Sequence, residues 1–195
     1  MSPAGERSVD ALRVITGTAR GKRLRELEGQ STRPTTDRVK EGLFNAIQFD
    51  IAGGRVLDLF AGTGQLGIEC LSRGADAAVF VDNSPKAAAL IRENLRLTGL
   101  DARATVLQTD ALDFLTRTRE RFDLLFLDPP YSSGLLEEAI KRAAAFDILK
   151  PRGIIVSEYP ATAAFPVPPP PLRAGRTYRY GKIAVTLCLR EDETV

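Results

Sequence analysis

Val56-Leu57-Asp58-Leu59-Phe60-Ala61-Gly62-Thr63-Gly64-Gln65-Leu66-Gly67 is the stretch that decides the fold. It runs from a strand through a glycine loop into a helix. Gly62, Gly64 and Gly67 satisfy G-x-G-x-x-G, and Asp82 follows Gly62 by 20 residues at the end of the next strand. That spacing is the dinucleotide fingerprint: glycines let backbone approach a ligand, and the acid can hold both hydroxyls of a ribose. The bland alternative is a tight turn followed by a surface acid. Outward from this segment, strands read at 55–60, 77–82, 104–109, 122–128 and 153–158, and helices at 64–73, 84–98, 111–118 and 133–147. Such alternation predicts an α/β domain with a parallel sheet covered on both faces.

Asp58 separates two cofactor readings. A carboxylate beside a loop that cradles a diphosphate is repelled by on the order of several kcal/mol at an effective dielectric near 20. The same carboxylate favours a ligand bearing an ammonium and a sulfonium, and S-adenosylmethionine carries both with no phosphate. At the end of the third strand, Asp110 can accept from an adenine amine and the Ala111 N–H can donate to its ring. Ligands of open α/β sheets bind at the carboxyl ends of the strands, so Asp58, Asp82, Asp110 and Asp128 are expected to line one cleft. Four strands each ending in Asp are hard to explain by packing, because isolated buried carboxylates are costly.

The fourth strand carries the second motif, Phe122-Asp123-Leu124-Leu125-Phe126-Leu127-Asp128-Pro129-Pro130-Tyr131. Its apolar run reads as a strand buried on both faces. Two prolines cannot continue a ladder, so the strand ends by presenting a carboxylate, rigid carbonyls and an aromatic ring together. That set suits a flat, amine-bearing ring, which it can stack against while accepting from its amino group. A proline-terminated strand with an exposed Tyr is the plainer reading.

The rest of the chain narrows the class. With 195 residues, 44% hydrophobic and 27% charged, one soluble domain with a small appendage is expected. Residues 1–12 hold no apolar h-region and no run reaches membrane-spanning length, which predicts a cytoplasmic protein. There is no histidine and no C-x-x-C, which argues against a metal site and removes Ser-His and Cys-His chemistry. Residues 13–25 contain Arg13, Arg20, Lys22, Arg23 and Arg25 without an acid, and 172–190 contain Arg173, Arg176, Arg179, Lys182 and Arg190 without one. Each could be a solvated face, but two such segments point to a polyanionic partner. Leu12–Thr16 and Arg23–Leu27 read as a basic hairpin, Asp37 as the cap of a helix, 159–171 as a stiff proline-rich connector, and Leu172–Tyr180 with Ile183–Leu189 as a closing hairpin. The expected division is an extension over 1–11 that is disordered, an N-terminal hairpin and helix over 12–52, the main domain over 53–190 and a tail over 191–195.

The ordered set DLFAGTGQLG, VFVD, TDAL and LDPPY resembles a class I methyltransferase with the amino-methylating D-P-P-Y signature. With RVITGTARGKRL and TRPTTDRVKEGLFNAI ahead of it, the chain resembles the bacterial 16S ribosomal RNA guanine-N2 methyltransferase family over about residues 12–158, and more loosely over RYGKIAVTLCL. The resemblance implies a Rossmann-like, seven-stranded, mostly parallel sheet with an antiparallel last strand, preceded by a small N-terminal β-hairpin. It implies S-adenosylmethionine as cofactor and, as partner, 16S rRNA in an assembling small ribosomal subunit, met by a monomer with no membrane and no metal. By matched motif, Asp128, Pro129, Pro130 and Tyr131 take the base. Asp58, Ala61, Gly62, Gly64, Asp82, Asn83, Asp110 and Ala111 take the cofactor. Arg33, Pro34, Thr35 and Arg38 match the segment that closes over cofactor and substrate, with Thr35 toward the cofactor. Arg33 and Arg38 then join Arg20, Lys22 and Arg23 toward the RNA. Gln65, Lys182-Ile183 and the proline-rich connector depart from the family pattern.

The rivals are a DNA adenine-N6 or cytosine-N4 methyltransferase, a catalytically idle RNA-binding assembly factor, and an NAD oxidoreductase. The first has no room here for a separate target-recognition domain. Intact Asp128 and an unbroken glycine loop speak against the second, and Asp58 against the third.

Overall fold

A computed structural model describes residues 12–26, 37–131 and 133–191, without the side chains of 37 and 38. Helix α1 (Asp37–Ala46) precedes β1 (Arg55–Leu59), α2 (Gln65–Ser72), β2 (Ala77–Asp82), α3 (Pro85–Thr98), β3 (Ala104–Gln108), α4 (Ala111–Arg117), β4 (Phe122–Leu127), α5 (Leu135–Ala145), β5 (Leu149–Pro160), β6 (Leu172–Tyr180) and β7 (Ile183–Arg190). The seven strands form one sheet in the order β3-β2-β1-β4-β5-β7-β6. The β1, β2, β3, β4 and β5 pairings are parallel, while β7 runs antiparallel to both of its neighbours. The α/β sheet with an antiparallel last strand is therefore the one expected from the sequence.

The order reverses between β1 and β4: the chain steps outward from β1 to β3 and then returns to lay β4 on the other side. The carboxyl ends of those two strands flank the switch point where ligands of such sheets bind. Local signals set the element ends. Ser84 caps α3 by accepting from the Ala87 N–H at 3.3 Å, Pro85 opens the helix, and Gly99 closes it in the left-handed conformation. Each face of the sheet buries its own core. One joins Val56, Phe80, Phe126 and Val156 to Phe44 of α1, Ile68 of α2 and Ile91 of α3. The other joins Leu57, Val79, Leu125 and Ile155 to Leu115 of α4 and Ile140 of α5. The central strands are apolar on both faces for this reason.

Two boundaries differ from the sequence reading. β5 is longer than 153–158, because Leu149 pairs with Phe122 ahead of a register shift between Phe122 and Leu124, and the strand continues against β7 as far as Pro160. The N-terminal hairpin has one ladder bridge, Arg13 to Arg23, instead of two full strands. The Val14 and Leu24 N–H groups still donate across it to the Lys22 and Leu12 carbonyls at 3.0 and 2.8 Å, and its backbone is also tied to helices α1 and α2. The Ile15 and Thr16 N–H groups donate to Glu69 at 2.7 and 2.9 Å, the Thr18 N–H donates to the Ser72 carbonyl at 2.9 Å, and Lys40 Nζ donates to the Arg13 carbonyl at 2.8 Å. Gly17 is required there, since a Cβ at its φ of +86° would meet the Ser72 carbonyl. Among the described residues, no helix is long and apolar enough to cross a membrane.

Candidate active site

The site is built by strand register. In β1 and β4, Asp58 pairs with Phe126 and Leu59 with Leu127; in β4 and β5, Leu127 pairs with Ser157. One residue further on come Asp128, just past the end of β4, and Glu158 of β5, near enough for its charge to act on Asp128. Alternation along a strand places Asp58, Asp128 and Glu158 on one face, the face covered by α1, α2 and α3.

Their surroundings disfavour charge. Asp58 is 3% exposed, and burial pushes its carboxyl up to about 7, opposed by the Gly67 N–H donating at 2.9 Å and reinforced by the charge of Asp82. Asp128 is half-buried; burial first, then the charges of Glu158 and Asp58, hold its carboxyl well above the usual carboxylate range. Glu158 is 7% exposed and accepts from the Tyr131 hydroxyl at 3.1 Å. The remaining surface of Tyr131 is 52% exposed at the rim, Pro129 is buried, and the exposed Pro130 accepts at its carbonyl from Ser133. Glu158 was missed by sequence reasoning. Its one signal is an acid at the end of the apolar run Ile154-Ile155-Val156-Ser157.

The glycine loop lies beside this cluster. Phe60, Gly62 and Gly64 have φ of 69°, 55° and 77°, and a non-glycine residue such as Phe60 is held left-handed at a cost of about 1–3 kcal/mol, a strain that concentrates at functional sites. The Phe60 and Ala61 N–H groups both donate to the Val81 carbonyl at 3.0 Å. Asp82 braces the turn, accepting from the Gly62 N–H and the Ser84 N–H, each at 2.9 Å. A Cβ on Gly62 would meet nothing closer than the Phe60 carbonyl at 4.0 Å, so the loop borders open space. A Cβ on Gly67 would instead run into Phe80, and its absence lets α2 approach the sheet. Gln65 opens α2 with Oε1 shut off from solvent and without a hydrogen-bond partner among the described residues.

The other expected residues divide. Asn83 is exposed beyond β2, and Ala111 is buried at the start of α4. Asp110 is the cap of α4: its Oδ1 accepts from the Leu112 and Asp113 N–H groups at 2.8 and 3.0 Å, a structural duty that the sequence reading did not include. Arg20 and Arg23 are exposed. Lys22 is exposed too, but its ammonium donates to the Thr98 carbonyl at 2.8 Å, at the C-terminal end of α3. Buried Asn94 ties this segment to the glycine loop, donating to the Thr63 carbonyl at 2.9 Å while pairing with the Arg25 backbone on both sides. Arg33, Pro34 and Thr35 lie outside the described residues, as does the side chain of Arg38. Among the described residues, no group of three or more His, Cys, Asp or Glu is placed to hold a metal ion.

The arrangement therefore offers a cluster of acceptors whose charges repel one another, an exposed aromatic ring beside it and a glycine loop that borders open space. A cation there would relieve the repulsion, and a diphosphate would add to it.

The family model described as "Conserved hypothetical protein 95" matches residues 12–189. Among curated proteins, "Putative rRNA methyltransferase YlbH" of Bacillus subtilis is 40% identical, covering 90% of this chain and 97% of its own. "Ribosomal RNA small subunit methyltransferase D" of Escherichia coli is 34% identical, covering 93% and 91%. Among solved structures, "Putative methyltransferase yhhF from Escherichia coli" superposes with a TM-score of 0.84 at 34% identity, covering 93% of this chain and 98% of that one.

Proposed function

This chain belongs to the family described as conserved hypothetical protein 95, and on that premise we propose that it methylates the exocyclic N2 amine of a guanine in small-subunit ribosomal RNA, with S-adenosylmethionine as donor. The observation that carries the reading is the juxtaposition of Asp58, Asp128 and Glu158 at the switch point, next to an open glycine loop. Mutually repelling carboxylates fit a cationic ligand, and the unpartnered acceptor on Gln65 fits a donor-rich one. Asp58 would hold its ammonium, Asp82 its ribose hydroxyls, and Asp110 with the Ala111 N–H its adenine, while Gly62 and Gly64 leave room for it. Once bound, it supplies an electrophilic methyl group on a sulfonium.

The work of the chain is to prepare the amine. An exocyclic amine is a poor nucleophile because its lone pair is delocalised into the ring. Asp128 and the Pro129 carbonyl accept its two N–H groups, which draws the nitrogen toward tetrahedral geometry and aims the lone pair. Tyr131 supplies a stacking face worth roughly 1–3 kcal/mol. Much of the acceleration comes from alignment, and Asp128, whose carboxyl is held high, is placed to take the departing proton. A guanine in paired or stacked RNA is splayed out before capture. The exposed Arg20 and Arg23 lie on the RNA side, in a particle under assembly, where phosphate contacts position the substrate.

The test is transfer from labelled S-adenosylmethionine to small-subunit RNA, assembling particles and DNA, followed by identification of the methylated nucleoside. N2-methylguanosine from the ribosomal substrates is the expected product. A methylated adenine or cytosine in DNA would support the rival amino-methyltransferase.

A further inference from the structure

We propose that Glu158 is the specificity-determining residue of this site, accepting the N1–H of the target guanine while Asp128 accepts from the adjacent N2 amine. The inference rests on the guanine reading above and deepens it by naming what distinguishes guanine from the other amine-bearing bases.

The register carries it. Because Leu127 pairs with Ser157, Asp128 and Glu158 are the next residue on each chain just past the last pair of β4 with β5. Both lie on the same face, and Glu158 is close enough to raise the Asp128 carboxyl through its charge. The Tyr131 hydroxyl donates to Glu158 Oε1 at 3.1 Å, so the stacking ring and the second carboxylate are fixed as a unit. Glu158 is buried in β5 directly after the apolar run Ile154-Ile155-Val156-Ser157.

Base chemistry supplies the match. On its pairing edge, guanine presents the N1–H and the N2 amine side by side, donor beside donor. Adenine and cytosine each present an amine beside a ring nitrogen that accepts. Ionised carboxylates only accept, and the two N–H donors of guanine stabilise the ionised pair that the ligand-free site disfavours, so two of them suit donor beside donor and leave the acceptor of adenine or cytosine facing a lone pair. Sites that bind a substrate N–H reject analogues lacking it because their own buried groups are left unpaired. D-P-P-Y alone recognises an amine; the second carboxylate selects the ring.

The test uses 2-aminopurine, which keeps the amine at C2 but has an acceptor in place of N1–H. Single-turnover transfer is compared on small-subunit RNA carrying guanine or 2-aminopurine at the modified position. Wild-type protein is expected to prefer guanine by about 10–150-fold, the worth of one hydrogen bond to a charged group. Glu158→Gln, whose amide can turn a donor to the ring nitrogen, should reduce that ratio to within a few-fold. Calorimetric binding of S-adenosylmethionine certifies that the variant is folded. Tyr131→Phe, which keeps the ring and removes the tether, should lose part of the discrimination. A wild-type ratio near one overturns the inference without any variant, and so does an undiminished ratio in folded Glu158→Gln. If wild-type protein transfers no methyl group to the guanine RNA at all, the parent reading fails, and this one with it.

Discussion

Glu69 on α2 and Asp58 on β1 are both shut off from solvent, at 1% and 3% exposure, but their neighbours treat them differently. Glu69 is surrounded by donors: the Ile15 and Thr16 N–H groups and the Arg73 guanidinium, which also lies 4.7 Å over the Phe44 ring. Among the described residues Asp58 has one donor, Gly67, and it faces the charges of Asp82 and Asp128. The first acid fastens the N-terminal segment to the domain. The second belongs to a cluster of acids whose charges act against one another. Burial does not mark a functional acid; the mismatch between its charge and its surroundings does.

The largest effect that follows is on stability. Glu69→Gln leaves at least one of two backbone donors without an acceptor and strips Arg73 of its partner, which should destabilise the fold by about 2–4 kcal/mol in denaturant unfolding. A change within experimental error would mean that the N-terminal segment is not held by this acid.

Asp58→Asn should move the other way. The folded protein raises the Asp58 carboxyl from its ordinary 3.8 to about 7, so it binds that proton more tightly than the unfolded chain does. The stability of the ligand-free protein should therefore fall as pH rises from about 4 to about 7 and then level. The amide can still accept from Gly67 without a charge, so at pH 8 the variant should match or exceed the wild type, by about 1–3 kcal/mol. Its affinity for S-adenosylmethionine should drop. In the wild type, affinity for this ligand should rise by up to tenfold per pH unit toward pH 7 as the Asp58 carboxyl ionises and then level, and S-adenosylhomocysteine, which keeps the ammonium, should follow the same profile. An affinity that does not change between pH 5 and 8 for either ligand would contradict an ammonium site at Asp58.

The smallest effect concerns the exposed charges. Replacing Arg20 and Arg23 with Ala should flatten the slope of log affinity for RNA against log salt by about 1–2 and leave cofactor affinity unchanged. An unaltered slope would make them a solvated face. Lys22 is expected to differ from both, because its ammonium already serves the C-terminal end of α3.

What the sequence made legible were the features encoded within one segment. The strand, glycine loop and helix over 56–67, the strand stop at Asp128-Pro129-Pro130 and the Asp at or just past each strand end are local patterns, and the parallel pairing brings those strand ends to one edge of the sheet. Glu158 was not legible, because its nearness to Asp128 comes from pairing strands some 30 residues apart in sequence, and periodicity gives a face but not a neighbour. Glu69 was not legible as an anchor for the same reason, since the backbone groups that donate to it lie more than 50 residues away. The N-terminal segment read as a basic hairpin, and its arms do bond to each other, but its further bonds to the helices are ones that the local pattern cannot point to. Asp110 was read for its chemistry, and its capping of α4 was overlooked although Asp before a helix is a strong cap signal.

Single-turnover methyl transfer by Asp128→Asn, with saturating S-adenosylmethionine and small-subunit RNA or particles, tests the central claim most directly. The amide keeps the size of the carboxyl but offers one acceptor oxygen and no charge, so a slowing of about 10–1000-fold is expected, with cofactor still bound and the fold at least as stable as the wild type. A folded Asp128→Asn protein that transfers methyl groups at the wild-type rate would remove the acidic cluster from the chemistry.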